Sequence, residues 1–170
     1  MSFLDLAKKR YSCRKLSAQP VEEEKLQKIL EAGNLAPTAD NNQPLHIWLL
    51  ESAEAMEKVS QTTSFIFGAP VAFVVGSKAD DAWVRPFDKK NFADVDASIA
   101  ATHMMLAIED LGLGTTWVAH FDAPKLKELF PEMADYELVA IFPVGYPAED
   151  AAPSPRHAER VGVEKLADQL

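Results

Sequence analysis

Hydrophobic positions along this chain alternate between a helical period and short continuous apolar runs, and the two together lay out an order of elements. Ser2 is placed to cap a helix reaching about Lys9, with Phe3, Leu6 and Ala7 on one face and Lys8 and Lys9 at its negative end. Leu26, Ile29 and Leu30 recur at helical spacing behind Glu22, Glu23 and Glu24. They predict a helix opened at Gln19-Pro20 and stopped by Gly33-Asn34. Residues 46–50 read as a strand, 54–60 as a short helix and 72–75, behind Pro70, as a buried strand. Between 77 and 91 the pattern is lost: Asp80, Asp81, Arg85, Asp88, Lys89 and Lys90 interleave with Trp83, Pro86 and Phe87. A connection of that length is commonly functional or mobile, and Trp83 and Phe87 are candidates to pack or to line a lid.

The longest helix is expected to start at a cap on Asp94 or Asp96. It carries Ile99, Met104, Met105, Leu106 and Ile108 and ends at Gly112. A strand over 115–118, a helix over 124–130 and a continuous buried strand over 138–144 follow, closed by Gly145-Tyr146-Pro147. From about residue 148, Pro153 and Pro155 predict an extended arm, with 161–166 available as a last strand or docking segment. No internal repeat interrupts this order, and 170 residues suit one domain over 1–170.

The charge balance narrows the classes of partner. With 17 Lys and Arg against 26 Asp and Glu, the formal net charge is −9, which repels nucleic acid and anionic lipid. The apolar runs are too short to span a bilayer, and the N-terminus lacks the apolar core of a signal peptide. Cys13 is the single cysteine, so no internal disulfide can form and a reducing cytoplasm is the expected home.

Against that acidic background the segment Arg10-Tyr11-Ser12-Cys13-Arg14 stands out. Isolated arginines after a helix usually lie in solvent. Two guanidiniums four residues apart around a hydroxyl, with Arg156 in a proline-fixed arm as a third, instead supply forked donors suited to phosphate oxygens. The run from Ala36 to Pro44, APTADNNQP, is compatible both with a plain connection rich in local turn bonds and with a ledge for a planar ligand with polar edges. His46, His103, His120 and His157 are scattered and unaccompanied by cysteines, which disfavours a metal site; His120, at a strand end, is the best placed to face a ligand. Cys13 has no nearby base in sequence to make it a nucleophile. Gly112-Leu113-Gly114 follows a helix and precedes a strand, the reverse of a dinucleotide-binding turn, and Glu109 and Asp110 face different directions.

The segments RYSCR, APTADNNQP, DASIAATHMMLAIEDLGLGTTW and FPVGYPAEDAAPSPR, in this order, resemble the nitroreductase family of FMN-dependent oxidoreductases from about Leu4 to Arg156. The resemblance implies an α+β fold with a central, mainly antiparallel sheet flanked by helices, assembled as an intertwined homodimer with FMN at the subunit interface. It assigns Arg10 and Ser12 to phosphate and ribityl contacts, Arg14 to the ring side as a redox-tuning cation, and Arg156 to a second phosphate contact. Pro37, Thr38, Ala39, Asn41 and Gln43 match the loop that reaches the flavin from the other subunit, and Ala119 and His120 the strand end beside the redox edge of the ring. The implied activity is ping-pong hydride transfer from NADH or NADPH through flavin N5 to a small-molecule acceptor such as a nitroaromatic or quinone, with no catalytic side chain required. The same fold also accommodates reductive dehalogenation, enone reduction or a flavin-binding sensor. Tyr11, Leu16, Leu45 and the pair Ala119-His120 depart from the frequent family residues, and no lysine matches near residues 62–65, so the acceptor pocket is built differently, with 83–92 a candidate wall.

Overall fold

A computed structural model describes residues 1–170. Its centre is a four-stranded sheet of β1 (Leu45–Leu50), β2 (Val71–Ser77), β3 (Gly114–Thr115) and β4 (Glu137–Gly145), ordered β1-β2-β4-β3 with every pairing antiparallel. The helices are α1 (Phe3–Lys9), α2 (Glu23–Asn34), α3 (Ala53–Ser60), α4 (Ala93–Asp110), α5 (Ala123–Leu129) and α6 (Val163–Leu166).

The two central strands are apolar without interruption because both of their faces are covered. Successive side chains of a strand point to opposite faces, and here the alternation divides the core in two. Val71, Phe73 and Val75 of β2, with Ala140, Phe142 and Val144 of β4, pack on Leu26 and Ile29 of α2 and on Ala97, Ala101, Met104 and Ile108 of α4. The intervening Ala72, Val74 and Ile141 pack on Val59 of α3, Leu126 of α5, Phe130 and Met133. Phe73 and Phe142 are fully buried, each contributing on the order of 1.5–3 kcal/mol of transfer free energy.

Several boundaries differ from the pattern-based expectation, each for a local reason. The Ser2 cap is present as a full capping box with Asp5. The second helix begins at Glu23 rather than at Pro20, because Leu16 and Ser17 donate to the carbonyls of Phe67 and Tyr146 and hold the preceding chain extended on the sheet end. That helix does stop at Asn34, as expected, and Gly33, its last residue but one, is also a point of close approach: a Cβ there would stand 2.8 Å from Ile47 Cδ1 and 3.1 Å from Met104 Cγ. Neither Asp94 nor Asp96 caps α4. Phe92 occupies the cap, and Asn91 Oδ1 accepts from the Ala93 N–H at 2.9 Å. The third strand is only two residues long; Val118 returns as a lone bridge to Ile141, so Thr116 and Trp117 lie outside the ladder.

Residues 77–91 are more ordered than their composition suggests. A bridge between Val84 and Asn91 and an edge-on contact of Trp83 with Phe92 make a tight hairpin, with Phe87 almost wholly exposed at its tip. The arm from 148 carries a short 3-10 turn at Pro155–Ala158, and 163–166 is an exposed helical turn, not a strand. No helix is long and apolar enough to cross a membrane.

Candidate functional site: an arginine hollow joined to an aromatic one

The segment after α1 is brought to the sheet by backbone bonds. Cys13 donates its N–H to the Thr115 carbonyl at 2.8 Å, and Ser12 bridges Thr115 in parallel. Lys9 Nζ stands 3.3 Å from the buried carboxylate of Glu109, tying the end of α1 to α4 one residue before Arg10. Cys13 itself is fully buried, donating its thiol to the Lys15 carbonyl at 3.3 Å, which removes it from consideration as a nucleophile. Its place beside the sheet depends on Gly114, where a Cβ would stand 2.9 Å from Cys13 Sγ and 3.0 Å from Leu16 Cδ2.

From this anchored strip Arg10, Ser12 and Arg14 open into a hollow of about 220 Å³, completed by Ser154, Arg156, His157 and Arg160 of the arm. No hydrophobic residue lines it. None of its four arginines takes part in any of the chain's six ion pairs. Arg14 donates to the Ser12 carbonyl at 3.4 Å and Arg160 to the carbonyls of His157 and Glu159 at 2.7 and 2.6 Å, bonds that leave the positive charges unneutralised. His157 Nε2 lies 3.2 Å from the Lys8 carbonyl, docking the arm on the end of α1.

Arg14 also lines a second, more apolar hollow of about 280 Å³ with Phe65, Phe67, Thr116, Trp117, Val118, Ala119 and His120. Phe65 and Phe67 stack at 5.7 Å, and His120 meets Phe65 edge-on at 5.4 Å. Thr63 Oγ1 donates to the His120 carbonyl at 2.7 Å, fixing the strand end. Phe67 has φ of 55° and is followed by Gly68 at 81°, where a Cβ would stand 2.9 Å from the Leu16 carbonyl oxygen. Only a glycine there lets the turn present Phe67 without a backbone clash.

The residues singled out in the sequence therefore divide. Arg10, Ser12, Arg14 and Arg156 share one hollow, and Ala119 and His120 share the other with Arg14. Pro37, Thr38, Ala39, Asn41 and Gln43 line neither; Thr38 and Gln43 face a separate small hollow beside α2. Within one chain the arginine strip and the polar loop are not brought together, and the 83–92 hairpin walls neither hollow. Sequence reasoning missed Ser154, His157 and Arg160 of the arm, although Arg156 and Arg160 repeat the four-residue spacing of Arg10 and Arg14. It also missed Phe65 and Phe67, whose alternation before Gly68 is the available signal. No group of histidine, cysteine and carboxylate side chains is arranged to hold a metal.

Tyr11 lies between Arg10 and Ser12 and packs against the Cys13, Leu16 and Ala69 cluster, its ring edge-on to His157 at 6.4 Å. Burial first, then the hydrogen bond its hydroxyl donates to Cys13 Sγ at 3.7 Å, and then the nearby Cys13 and Glu109, push its phenol up from 10.0 to about 12. A raised folded value means that the unfolded chain ionises first. The stabilisation is therefore complete below pH 10 and is lost as pH rises through about 12. Urea unfolding at a series of pH values across that window should show a fall in stability that Tyr11→Phe makes shallower; identical profiles would contradict the assignment.

Comparison with known proteins bears on the family and the fold. The family model described as "Nitroreductase family" matches residues 7–64 and 61–146. A Methanothermobacter thermautotrophicus protein provisionally named NADH dehydrogenase/NAD(P)H nitroreductase is 30% identical over 162 residues, covering 88% of this chain and 80% of its own. The crystal structure of a nitroreductase family protein from Clostridium difficile superposes with a TM-score of 0.91 at 37% identity, over 99% of this chain and 98% of the other. A protein from Exiguobacterium sibiricum, solved in complex with FMN, shares the fold with a TM-score of 0.83 at 17% identity, over 100% of this chain and 98% of the other. The α+β sheet sandwich, the ordered motifs and the matched length lead to one assignment: the chain belongs to the nitroreductase family.

Proposed function

We propose that this protein is an FMN-dependent NAD(P)H oxidoreductase that works as a cytoplasmic homodimer on a small-molecule acceptor. One observation carries the reading. In a chain of net charge −9, four arginines line a single hollow and not one is paired with a carboxylate. Uncompensated cations held side by side repel one another, so their arrangement is favourable when a multiply charged anion sits among them.

The residues fit FMN. Arg10, Ser12 and Arg156 present donors for its phosphate, and the adjoining apolar hollow offers Phe65, Phe67 and Trp117 to a flat ring. Arg14 borders both spaces, so it is the cation nearest the ring. When bound, FMN supplies the hydride chemistry, accepting two electrons from NADH or NADPH and passing them to a nitroaromatic, quinone or similar acceptor. Arg14 favours negative charge on the ring and so raises its midpoint potential, and the apolar walls strengthen that effect by limiting water. Ala119 and His120 border the ring space, with the His120 carbonyl fixed by Thr63.

The second chain supplies what one chain lacks. The outward face of α4 carries Val95, Ile99, His103 and Leu106, which with Phe3 form an apolar groove of about 590 Å³. Phe3 and Leu4 are two-thirds exposed beside it. Pairing α4 with a copy of itself covers this surface and directs the 37–44 loop, including Pro37, Thr38, Ala39, Asn41 and Gln43, toward the partner's flavin.

Anaerobic titration of the FMN-loaded protein tests the reading. NADH or NADPH should bleach the flavin, and a quinone or nitroaromatic should restore its colour; failure of both nucleotides would leave only a flavin binder. In the same cell, Arg14→Ala should lower the midpoint potential by about 30 mV, the equivalent of about 1.4 kcal/mol for two electrons. An unmoved potential removes Arg14 from the tuning role.

A further inference from the structure

The 37–44 loop is strained. Asp40, Asn41 and Gln43 have φ of 54°, 55° and 51°, the left-handed region that non-glycine residues seldom occupy. Such backbone persists only where its surroundings over-determine it. Thr38 Oγ1 accepts from the Gln43 N–H at 3.0 Å, Gln43 Nε2 donates to the Asn41 carbonyl at 3.2 Å, and Asn42 Nδ2 donates to the Asp81 carbonyl at 3.2 Å. One bond alone joins the loop to α4: the Ala39 N–H donates to Asp96 Oδ1 at 2.9 Å.

Asp96 is an unusual residue to spend on that bond. It is only 1% exposed, and its Oδ2 has no partner at all. A buried acceptor left unmade is unfavourable by about 1–3 kcal/mol, only partly offset by its place in the first turn of α4, where the helix dipole favours an acidic group. The helix does not need it as a cap, since Phe92 and Asn91 occupy that end. What the carboxyl does accomplish is to grip the N–H of Ala39, the residue just before the left-handed Asp40 and Asn41. It does so from the same helix whose neighbouring residues Val95 and Ile99 line the apolar groove.

We propose that Asp96 is a positioning residue for the flavin site: through Ala39 it presets the left-handed 37–44 loop on the helix that carries it to the partner subunit. This inference rests on the proposed reading that the loop contacts the partner's FMN. Preorganisation lowers the ordering cost of binding, so its loss is felt as weaker FMN retention by a protein that still folds and pairs.

The test measures the FMN dissociation constant by fluorescence quenching, with light scattering to report the assembled mass. Asp96→Ala should raise the constant about tenfold, the size of one lost hydrogen bond to a charged group. Asp96→Asn, whose amide oxygen can still accept from Ala39, should stay within about threefold of the parent. Ala39→Pro deletes the same bond from the other end, at a position where Thr38 (φ −129°, ψ 158°) already has the backbone that precedes proline. Combined with Asp96→Ala it should weaken binding no further than either alone. Parent-like affinity in Asp96→Ala, an Asn variant as weak as the Ala variant, or additive single effects would each overturn the role. If Asp96→Ala fails to fold, Ala39→Pro decides, and parent-like affinity in it overturns the role. Asn41→Ala and Gln43→Ala separate this inference from its foundation. If either weakens FMN while Asp96→Ala does not, only the Asp96 role falls; if neither does, the loop reading falls and takes the Asp96 role with it.

Discussion

Alanine at both Arg10 and Arg156 is expected to strip FMN from the protein during ordinary gel filtration while leaving the fold intact. Each guanidinium offers charge-assisted hydrogen bonds to phosphate, worth about 1.5–3 kcal/mol apiece, so each single variant should weaken binding by about 10- to 150-fold. The two residues come from segments far apart in sequence, the turn after α1 and the C-terminal arm, and meet only in the hollow. Both are on the surface side of the molecule, and neither neutralises a carboxylate, so removing them breaks no ion pair. Thermal melts of the cofactor-free variants should therefore match the parent, whereas the flavin-dependent rise in melting temperature should vanish. A double variant that retains stoichiometric FMN would show that the hollow serves another anion.

Gly114→Val is expected to damage both stability and cofactor binding. The added side chain has nowhere to go: its Cβ would lie within 3.0 Å of Cys13 Sγ, Cys13 Cβ and Leu16 Cδ2, and both neighbours are buried. Overpacking of this kind is unfavourable by about 1–3 kcal/mol, or a fall of about 2–12 °C in melting temperature for a chain of this size. The more telling consequence is directional. Relief by lifting the 12–16 strip off β3 breaks the Cys13 to Thr115 bond and carries Arg10, Ser12 and Arg14 away from the arm. Calorimetry with and without FMN checks this. A variant with lowered stability but unchanged FMN affinity would mean that the strip adjusts without moving the arginines.

Much of this molecule is legible in its sequence. The apolar runs near 72–75 and 138–144 are the two central strands, and the alternation within them accounts for both packed layers. Arg10, Ser12, Arg14 and Arg156 could be grouped because like charges clustered in an acidic chain need a reason. What stayed hidden depends on contacts between distant segments. Asp96 reads as a helix cap by position, and only the fold reveals that its carboxyl turns to Ala39 instead. Gly33-Asn34 reads as a helix stop and is one, but only the approach of Ile47 and Met104 shows that Gly33 is also a spacer. Phe65 and Phe67 lack a helical or strand period because they belong to a turn held by Leu16. The loop at 37–44 remains apart from the arginines within a single chain.

The unpaired arginine hollow has a kinetic side as well. In dilute buffer, where the Debye length grows to about 30 Å, an incoming FMN dianion meets the field of a chain with net charge −9 and is repelled. Only in the last few ångströms does the local positive potential take over. Capture and retention thus respond to ionic strength in opposite ways: added salt lowers the outer barrier and speeds arrival, while it loosens the ion contacts that slow departure. On the proposed reading of the hollow, cofactor exchange is expected to be slow in dilute buffer and faster as salt rises, the flavin being kept by the depth of a small cationic trap set in an unwelcoming surface.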